Sequence, residues 1–436
     1  ASRTLGQRLL RSAAVFGMFV ALYTLSGFYL FLRERRAVDE LLKLITLLGL
    51  FVLAASVATV VHWYAWGADI IPLLLFGMVI ALAYHQEMAL LLSACVTLVV
   101  VVSLGHSLAQ ALVWFATVCS AVLVLRQVRT RSKLLIVGFT AAVVGFLTML
   151  GVGALYGQPL GTLAANGFLI ALWSVIAGSL MTVMLPAVEK AFGVQTDLSL
   201  IELGDPAHPL LQELIRRAPG TYNHSITVAS LAEAAAEAIG ARGLLVRVGA
   251  YFHDIGKMLK PQYFIENQSR GDNRHDTLVP AMSTLVIIAH VKDGADLARQ
   301  NGLPESIVDF IQQHHGTTLV EFFYRQANQK KAQEDPDGGV LDETSFRYPG
   351  PKPQTREAGV LMLADAVESA SRALKEPTPS RIENLVEEIS MKRLLDGQFD
   401  ESGLTLEEVR KIGESLVKSL TAVYHGRVKY PARVPA

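Results

Sequence analysis

The sequence predicts an all-α protein in which a seven-helix transmembrane bundle precedes a helical cytoplasmic domain. The 436 residues are 51% hydrophobic but only 18% charged, whereas soluble domains carry about 25% charged residues. The deficit is local, because residues 1–192 hold 12 basic and six acidic side chains, against 27 and 33 in residues 193–436. This pattern excludes a single soluble domain, a disordered chain and a binder of nucleic-acid polymers with a basic face.

The transmembrane bundle is predicted from seven apolar runs. A bilayer core of about 30 Å needs roughly 17–25 apolar residues per helix. The runs are Leu9–Leu32, Leu44–Trp66, Ile70–Tyr84, Met88–Leu104, Leu108–Leu125, Leu134–Tyr156 and Gly167–Leu185. The third run is the weakest, since it is short and is flanked by charged or polar residues. We place the bundle at residues 1–188, a linker at 189–203 and the soluble domain at 204–436.

The orientation of the bundle follows from its basic loops, because Lys and Arg are retained on the cytoplasmic side. The loops after the second, fourth and sixth spans carry neither residue. The loops after the first and fifth spans carry four each: Arg33, Arg35, Arg36 and Lys43, then Arg126, Arg129, Arg131 and Lys133. We therefore predict that the N-terminus lies outside and the soluble domain in the cytoplasm. The arginines near the N-terminus oppose this orientation but are outweighed by the two loops.

Four ionisable side chains fall within or beside the spans, namely His62, Asp69, His85 and Glu87. An ion path would require such groups at the centre of the membrane. These four lie near span ends, where headgroups and water can satisfy them. We therefore favour an anchor or sensor bundle over a transporter or channel.

Amphipathic helices separated by Gly and Pro are predicted in the soluble domain. They cover Ser225–Ile239, Leu244–Phe252, Pro280–His290, Glu357–Leu374, Arg381–Leu394 and Leu406–Tyr424. The polar stretch Ala327–Pro353 is predicted to be a long loop. Alternating β-branched runs and glycine-rich phosphate loops are missing from this sequence.

Histidine and aspartate carry the candidate chemistry, since eight of the 11 histidines lie in the soluble half. Imidazole and carboxylate together suit Mn, Fe, Zn or Ni, whereas Ca and Mg prefer oxygen ligands. Two cations about 3.5–4 Å apart can clamp a phosphodiester and activate water, and a carboxylate can bridge them. A lone histidine is more often a satisfied core or surface group, but the ordered set is more specific. Its members are His224, His253, Asp254, His290, His314, His315 and Asp365.

The order of these residues resembles a known superfamily. His224, His253-Asp254 and Asp365 resemble the HD phosphohydrolases, and the added His290 and His314-His315 resemble the two-metal branch of that superfamily. Longer runs at residues 220–225, 266–268, 290–294 and 346–353, together with seven upstream spans, extend the likeness to essentially the whole chain. The sequence is similar to the bacterial seven-transmembrane receptors that carry an intracellular HD hydrolase domain.

The resemblance implies two divalent transition-metal ions, manganese or iron. One ion would take His224, His253, Asp254 and Asp365, and the other Asp254 as a bridge with His290, His314 and His315. The resemblance also implies a multi-pass protein of the bacterial cell membrane with its HD domain in the cytoplasm, and it is compatible with a homodimer. The resemblance further implies an extracellular domain ahead of the bundle; the chain begins at Ala1 rather than Met, and we expect that domain upstream of it in the full-length protein.

The activity implied by the resemblance is hydrolysis of cyclic di-AMP to pApA, regulated through the bundle. Lys257, three residues after Asp254, would stabilise charge on the phosphate unless it is an ordinary surface lysine. Arg347 and Tyr348 are candidate substrate contacts, since Arg suits phosphate and Tyr can stack on a base.

Alternative functions remain open at this point. The related branch that cleaves cyclic di-GMP has a Gly-Tyr-Pro element after its paired histidines, where this chain has Gly316-Thr317-Thr318-Leu319. That difference favours cyclic di-AMP over cyclic di-GMP or another nucleotide. A receptor that binds a nucleotide without cleaving it is disfavoured by the intact ligand set.

Overall fold

The computed structural model describes residues 5–33, 40–64, 67–126, 128–268, 273–335 and 339–425. The chain divides into two compact units, Ala1–Leu198 and Ser199–Ala436. Among the described residues the only β-type pairing is an isolated bridge between Leu319 and Arg347, which confirms the all-α class. The division falls within the linker that we predict at residues 189–203, although the three-part boundaries themselves stay a prediction.

Seven helices form the described part of the first unit: α1 Leu5–Arg33, α2 Leu41–Tyr64, α3 Ile70–Ala83, α4 Gln86–Leu104, α5 Leu108–Val124, α6 Arg131–Leu155 and α7 Leu160–Phe192. Five of them are long and apolar enough to cross a membrane, and the shorter apolar helices are α3 and α5. Arg35 and Arg36 of the first basic loop, and Trp66 at the end of the second predicted span, lie outside the described residues.

The short helix α3 is buried on all sides, since Leu73, Leu74, Phe76, Met78 and Val79 point in different directions around it and are all at most 3% exposed. A helix that is apolar on every side belongs in a protein interior or a membrane. The 14 residues of α3 therefore pack within the bundle, and its neighbours supply the apolar surroundings.

Helices α6 and α7 approach each other through glycine. A Cβ atom placed on Gly138 would lie 2.9 Å from Gly178 Cα, and one placed on Gly178 would lie 2.8 Å from Gly138 Cα. Membrane helices often pack through such small residues, because close backbone approach increases van der Waals contact. The two backbones therefore touch at this crossing.

The second unit contains α8 Asp197–Leu203, which begins just before the division, followed by α9 Pro209–Arg217, α10 Pro219–Ala238, α11 Gly243–Phe252, α12 Pro280–Gln300, α13 Glu305–Gln313, α14 Glu321–Glu334, α15 Arg356–Ser371, α16 Pro379–Leu395 and α17 Leu406–His425. Short 3₁₀ turns occur at Ile255–Leu259, Pro261–Tyr263, Ile265–Asn267, Arg274–Thr277 and Glu343–Phe346. The Ala-rich helix α10 contacts α11, α15 and α17, and its small buried side chains allow close packing.

The ends of several predicted elements differ from the structure: the helix predicted from Ser225 begins at Pro219, for example, and two further differences concern helix continuation. The helix predicted to end at His290 continues to Gln300, because Gly294 packs against the backbone of Gly256 and so fits within the helix. The loop predicted at Ala327–Pro353 is helical in its first part, where α14 reaches Glu334. Residues 336–338 of that stretch lie outside the described residues.

Candidate metal centre

All seven predicted ligands converge in the second unit. His224 lies on α10, His290 on α12 and Asp365 on α15, while the other four flank helix ends. His253 and Asp254 stand between α11 and a 3₁₀ turn, and His314 and His315 directly follow α13. Six of the seven are buried with at most 6% exposure, and His315 is half-buried.

Asp254 lies at the centre of the cluster. Its Oδ2 atom is 3.2 Å from His253 Nε2 and 3.6 Å from His224 Nε2. Its Oδ1 atom is 3.3 Å from His290 Nε2 and 3.6 Å from His314 Nε2. Within the described chain, neither oxygen accepts a hydrogen bond of normal geometry. Each oxygen thus faces a different pair of imidazoles, as the two oxygens of a bridging carboxylate would.

Asp365 completes the first group of ligands. Its Oδ1 atom lies 3.0 Å from His224 Nε2 and 3.6 Å from His253 Nε2. Its Oδ2 atom lies 3.8 Å from His315 Nδ1. The triplets His224, His253, Asp365 and His290, His314, His315 each offer ligand atoms within 4.8 Å of one another. The cluster therefore resolves into two groups that Asp254 joins.

Hydrogen bonds fix the tautomers of four of these histidines. The Nδ1 atoms of His253, His290 and His314 lie 2.7, 2.6 and 2.8 Å from the carbonyl oxygens of Ala250, Ile287 and Ile311. His224 Nδ1 lies 2.6 Å from Glu368 Oε2. Carbonyl and carboxylate oxygens only accept, so each Nδ1 carries a proton and donates it. In a neutral ring, the lone pair of Nε2 then points into the cluster, as in metal-bound histidines.

One further distance indicates that this set of ligand atoms can hold a cation. The Nε2 atoms of His290 and His314 lie 3.3 Å apart, although both rings donate from Nδ1. Two lone pairs facing each other at that distance repel unless a cation or a proton lies between them. The oxygens of Asp254 and the Nε2 atom of His253 also make no hydrogen bond in the described chain, and this arrangement suits divalent metal ions.

Glycine permits the His-Asp turn to approach α12. A Cβ atom on Gly256 would collide with the carbonyl group of His290 and would lie 2.6 Å from Gly294 N. The turn after Asp254 therefore packs directly on the helix that carries His290. On the other side of the site, Asn267 Oδ1 accepts a 2.9 Å hydrogen bond from Gly220 N, which fixes the first turn of α10 below His224.

The candidate ligands whose pKa is shifted fall into two sets according to whether their charged form is favoured or disfavoured by the site. Burial opposes ionisation of Asp254 and Asp365, but the adjacent histidines outweigh it and hold the pKa of both carboxyls well below its ordinary range. Burial also opposes the charged form of His253, yet the two carboxylates raise its pKa to about 10. By contrast, burial lowers the pKa of His314 and His315. Because the pKa of His253 and of His224 is raised, metal binding has to displace protons from these two imidazoles, whereas both carboxylates are already ionised.

The other three predicted site residues have different surroundings. Lys257 Nζ lies 2.7 Å from Asp254 Oδ2 and 3.1 Å from Glu266 Oε1. The Tyr348 ring lies 4.3 Å from the His315 ring, centroid to centroid. Arg347 instead pairs with Asp396 at 3.1 Å and Glu343 at 2.9 Å, and it shows no contact with the ligand cluster in the described chain.

Three residues near the site were not predicted. Glu368 accepts from His224 and is 4% exposed, and its spacing of three residues from Asp365 on one helix face was the available signal. Glu266 pairs with Lys257. Arg393 feels the carboxylates of Asp365 and Asp396, and burial lowers its pKa, while its Nε atom is buried without a hydrogen-bond partner in the described chain. Glu266 stands in the run at residues 266–268 that supports the resemblance but had no predicted role, whereas Arg393 carries no local sequence signal.

Comparison with known proteins places this site and fold in a class. Residues 221–370 match the family model described as "HD domain", which spans all seven ligands. Residues 11–196 match the family described as "7TM receptor with intracellular HD hydrolase". The chain therefore belongs to the seven-transmembrane receptors with an intracellular HD hydrolase, and it is a membrane protein with an intracellular HD domain.

Curated relatives and solved structures are similar to this chain. It is 44% identical over 318 residues to "Cyclic-di-AMP phosphodiesterase PgpH" of Bacillus subtilis (strain 168), and 42% identical over 317 residues to the protein of that name from Listeria monocytogenes. Each alignment covers 72% of this chain and 43% of the relative, so the chain spans about two fifths of their length. Crystal structures of the L. monocytogenes PgpH HD domain, one in complex with cyclic di-AMP, are 46% identical with a TM-score of 0.47 and cover 50% and 51% of this chain and all of theirs.

Proposed function

We propose that this chain is a metal-dependent phosphodiesterase that hydrolyses cyclic di-AMP to pApA at the cytoplasmic face of a bacterial cell membrane. The proposal depends above all on Asp254, whose two carboxylate oxygens face different imidazole pairs. That geometry suits a two-cation phosphoesterase site. The names of the two curated relatives support cyclic di-AMP as the substrate. Regulation of this activity through the bundle stays a prediction.

Two divalent ions would occupy the cluster. His224, His253 and Asp365 would hold one, and His290, His314 and His315 the other, with Asp254 shared between them. When bound, such a pair supplies Lewis acidity toward the phosphodiester and lowers the pKa of water. Manganese or iron is our choice, because the resemblance to the HD hydrolases implies these ions and the nitrogen and oxygen donors suit them.

The protein side chains around the metals would orient the reacting groups. Lys257 holds the Asp254 carboxylate between its own ammonium and the neighbouring histidines, and Glu266 fixes Lys257 from the other side. These contacts favour a positioning role for Lys257 over the direct phosphate contact that the sequence suggests. A second basic residue, Arg393, is the better candidate for the phosphate, because its Nε atom is buried and makes no hydrogen bond in the described chain.

The adenine base would meet Tyr348, whose ring is tilted by 35° over His315 and so borders the second metal group. Arg347 supports the site indirectly in this proposal. It donates to the Thr317 carbonyl at 3.0 Å and to Asp396, and these bonds hold the segment that follows the paired histidines. The segment is also held by Gln398, which accepts from Thr317 N at 3.0 Å.

A substrate panel tests the proposal. Purified full chain in detergent with Mn²⁺ should convert cyclic di-AMP to pApA, measured by chromatography, in preference to cyclic di-GMP and to other nucleotides. Exclusive cleavage of cyclic di-GMP would contradict the choice of substrate. Tight binding of cyclic di-AMP with no product would instead indicate a nucleotide receptor.

Replacement of the shared carboxylate tests the metal site. Asp254→Asn should lower turnover by more than about 100-fold, since even residues that only support metal ligands cost 10–100-fold. The metal content of the folded protein should fall as well. Asp296→Asn, an exposed carboxylate on α12, is the matched control. Full activity in Asp254→Asn would refute the bridging role.

A further inference from the structure

A second His-Asp cluster lies in the membrane unit, far along the sequence from the HD residues. Asp69 directly precedes α3, His62 stands in the last turn of α2, and His106 lies in the connection between α4 and α5. His62 Nδ1 is 3.1 Å from Asp69 Oδ2, and His106 Nε2 is 3.9 Å from the same oxygen. One ligand atom from each residue lies within 4.8 Å of the others.

The burial of Asp69 makes this cluster unusual. The residue is only 2% exposed, which differs from our expectation that water and headgroups satisfy it. Its Oδ1 atom and His106 Nε2 are both buried without a hydrogen-bond partner in the described chain. A buried carboxylate is costly unless it is paired or coordinates a metal, and His62 satisfies only one of its two oxygens.

From this geometry we propose that His62, Asp69 and His106 bind one divalent transition-metal ion of the zinc type. In a tetrahedral shell with metal–ligand distances of about 2.1 Å, two ligand atoms lie about 3.4 Å apart. The distances of 3.1 and 3.9 Å from Asp69 Oδ2 lie on either side of that value. Two imidazoles with one carboxylate select zinc and its neighbours over calcium or magnesium. Three protein ligands leave a fourth position for water.

The site has a route to solvent. The side chains of His62 and His106 are 32% and 27% exposed. A cleft of about 290 Å³ also reaches His106, and Ala14, Val15, Met18 and Val102 line it. The orientation predicted from the basic loops puts these connections on the outer side of the membrane. The ion would thus reach the bundle from outside the cell, which suits a receptor unit that responds to metal.

Metal counting on the full chain in lipid nanodiscs tests the proposal. After equilibrium dialysis against Zn²⁺, elemental analysis should give one zinc per chain fewer in Asp69→Asn and in His106→Gln than in the wild type. Metals of the HD unit contribute equally to all samples. The matched controls are Glu87→Gln and His85→Gln, which change exposed residues beside α4 and should leave the zinc content unchanged.

Gel filtration and tryptophan fluorescence identify variants whose membrane unit fails to fold, because all four tryptophans lie within residues 1–192, and the partly exposed His106 is the more tolerant of the two positions. Equal zinc content in the wild type, Asp69→Asn and His106→Gln would overturn the proposal. Loss of thermal stability in Asp69→Asn with unchanged zinc content would also overturn it, because that result would make the cluster a hydrogen-bond network.

Discussion

Glu368 determines how His224 is presented to the HD site. Its Oε2 atom accepts the Nδ1 proton of His224 at 2.6 Å, and its Oε1 atom accepts from Arg372 at 2.8 Å. A carboxylate behind a ligating imidazole fixes the tautomer and raises the basicity of the ligand nitrogen. Glu368 is therefore a positioning residue that acts through His224.

Replacement of Glu368 should weaken metal binding without unfolding the domain. We expect Glu368→Gln to raise the metal dissociation constant by about 10–100-fold, the usual effect of losing such a partner. Titration with Mn²⁺ followed by product formation measures it, and added metal should restore much of the turnover. Glu387→Gln, at an exposed position on α16, is the control. An unchanged metal requirement in Glu368→Gln would contradict the role.

At the residue scale, the convergence of the seven candidate ligands was predictable because histidine is scarce in this chain and the order of these histidines and aspartates is recognisable. The neighbouring residues Glu368, Glu266 and Arg393 were not predicted. They are common residue types, and their role depends on which part of the folded chain faces the site. Arg347 is the opposite case, a residue that the sequence suggested as a nucleotide contact because arginine suits phosphate. In the folded chain Arg347 pairs instead with Glu343 and Asp396, and the sequence predicts neither pairing.

Helices α6 and α7 cross in the membrane unit with their backbones in direct contact. Each of Gly138 and Gly178 would place a Cβ atom less than 3.0 Å from the backbone of the other helix. Another glycine of α6, Gly151, has nothing within 4 Å of such an atom. The same substitution at Gly138 and at Gly151 therefore distinguishes the effect of helix packing from that of helix propensity.

Replacement of Gly138 should open this crossing. We expect Gly138→Leu to destabilise the membrane unit by about 1–3 kcal/mol, the usual cost of overpacking, whereas Gly151→Leu should have little effect. Thermal unfolding in detergent, followed by tryptophan fluorescence, measures both. Equal stability of the two variants would show that the helices do not depend on this contact.

At the element scale, apolar runs predicted all seven helices described in the membrane unit because their composition is decisive. The length of α3 did not satisfy the simple criterion for a span, since its neighbours enclose it. The extent of α12 was also missed, because a glycine usually weakens a helix. Here Gly294 is needed for contact with Gly256, and only the folded chain brings those two residues together.

The whole molecule consists of two compact units with separate spectroscopic signals. All four tryptophans lie within residues 1–192, so tryptophan fluorescence reports on the first unit alone. The second unit contributes helical circular dichroism without tryptophan. Its stability can therefore be followed within the intact chain.

Mn²⁺ bound at the HD cluster should stabilise the second of the two units. A ligand at 100 times its dissociation constant adds about 2.7 kcal/mol to the folded state. We expect Mn²⁺ to raise the temperature of a circular-dichroism transition that tryptophan fluorescence does not detect, and chelation to lower it again. The Asp254→Asn variant is the control and should not respond. A shift of equal size in tryptophan fluorescence would place the metal effect elsewhere.

Three of the site imidazoles donate to carbonyl groups three residues upstream, at Ala250, Ile287 and Ile311. A carbonyl belongs to every residue type, so mutation at these three positions leaves the orienting acceptor in place. His224 alone among the four depends on a side chain for this purpose. Among these four rings, only His224 can therefore lose its orienting acceptor through a single substitution, at Glu368. The backbone supplies the acceptor for the other three rings whatever residue stands there.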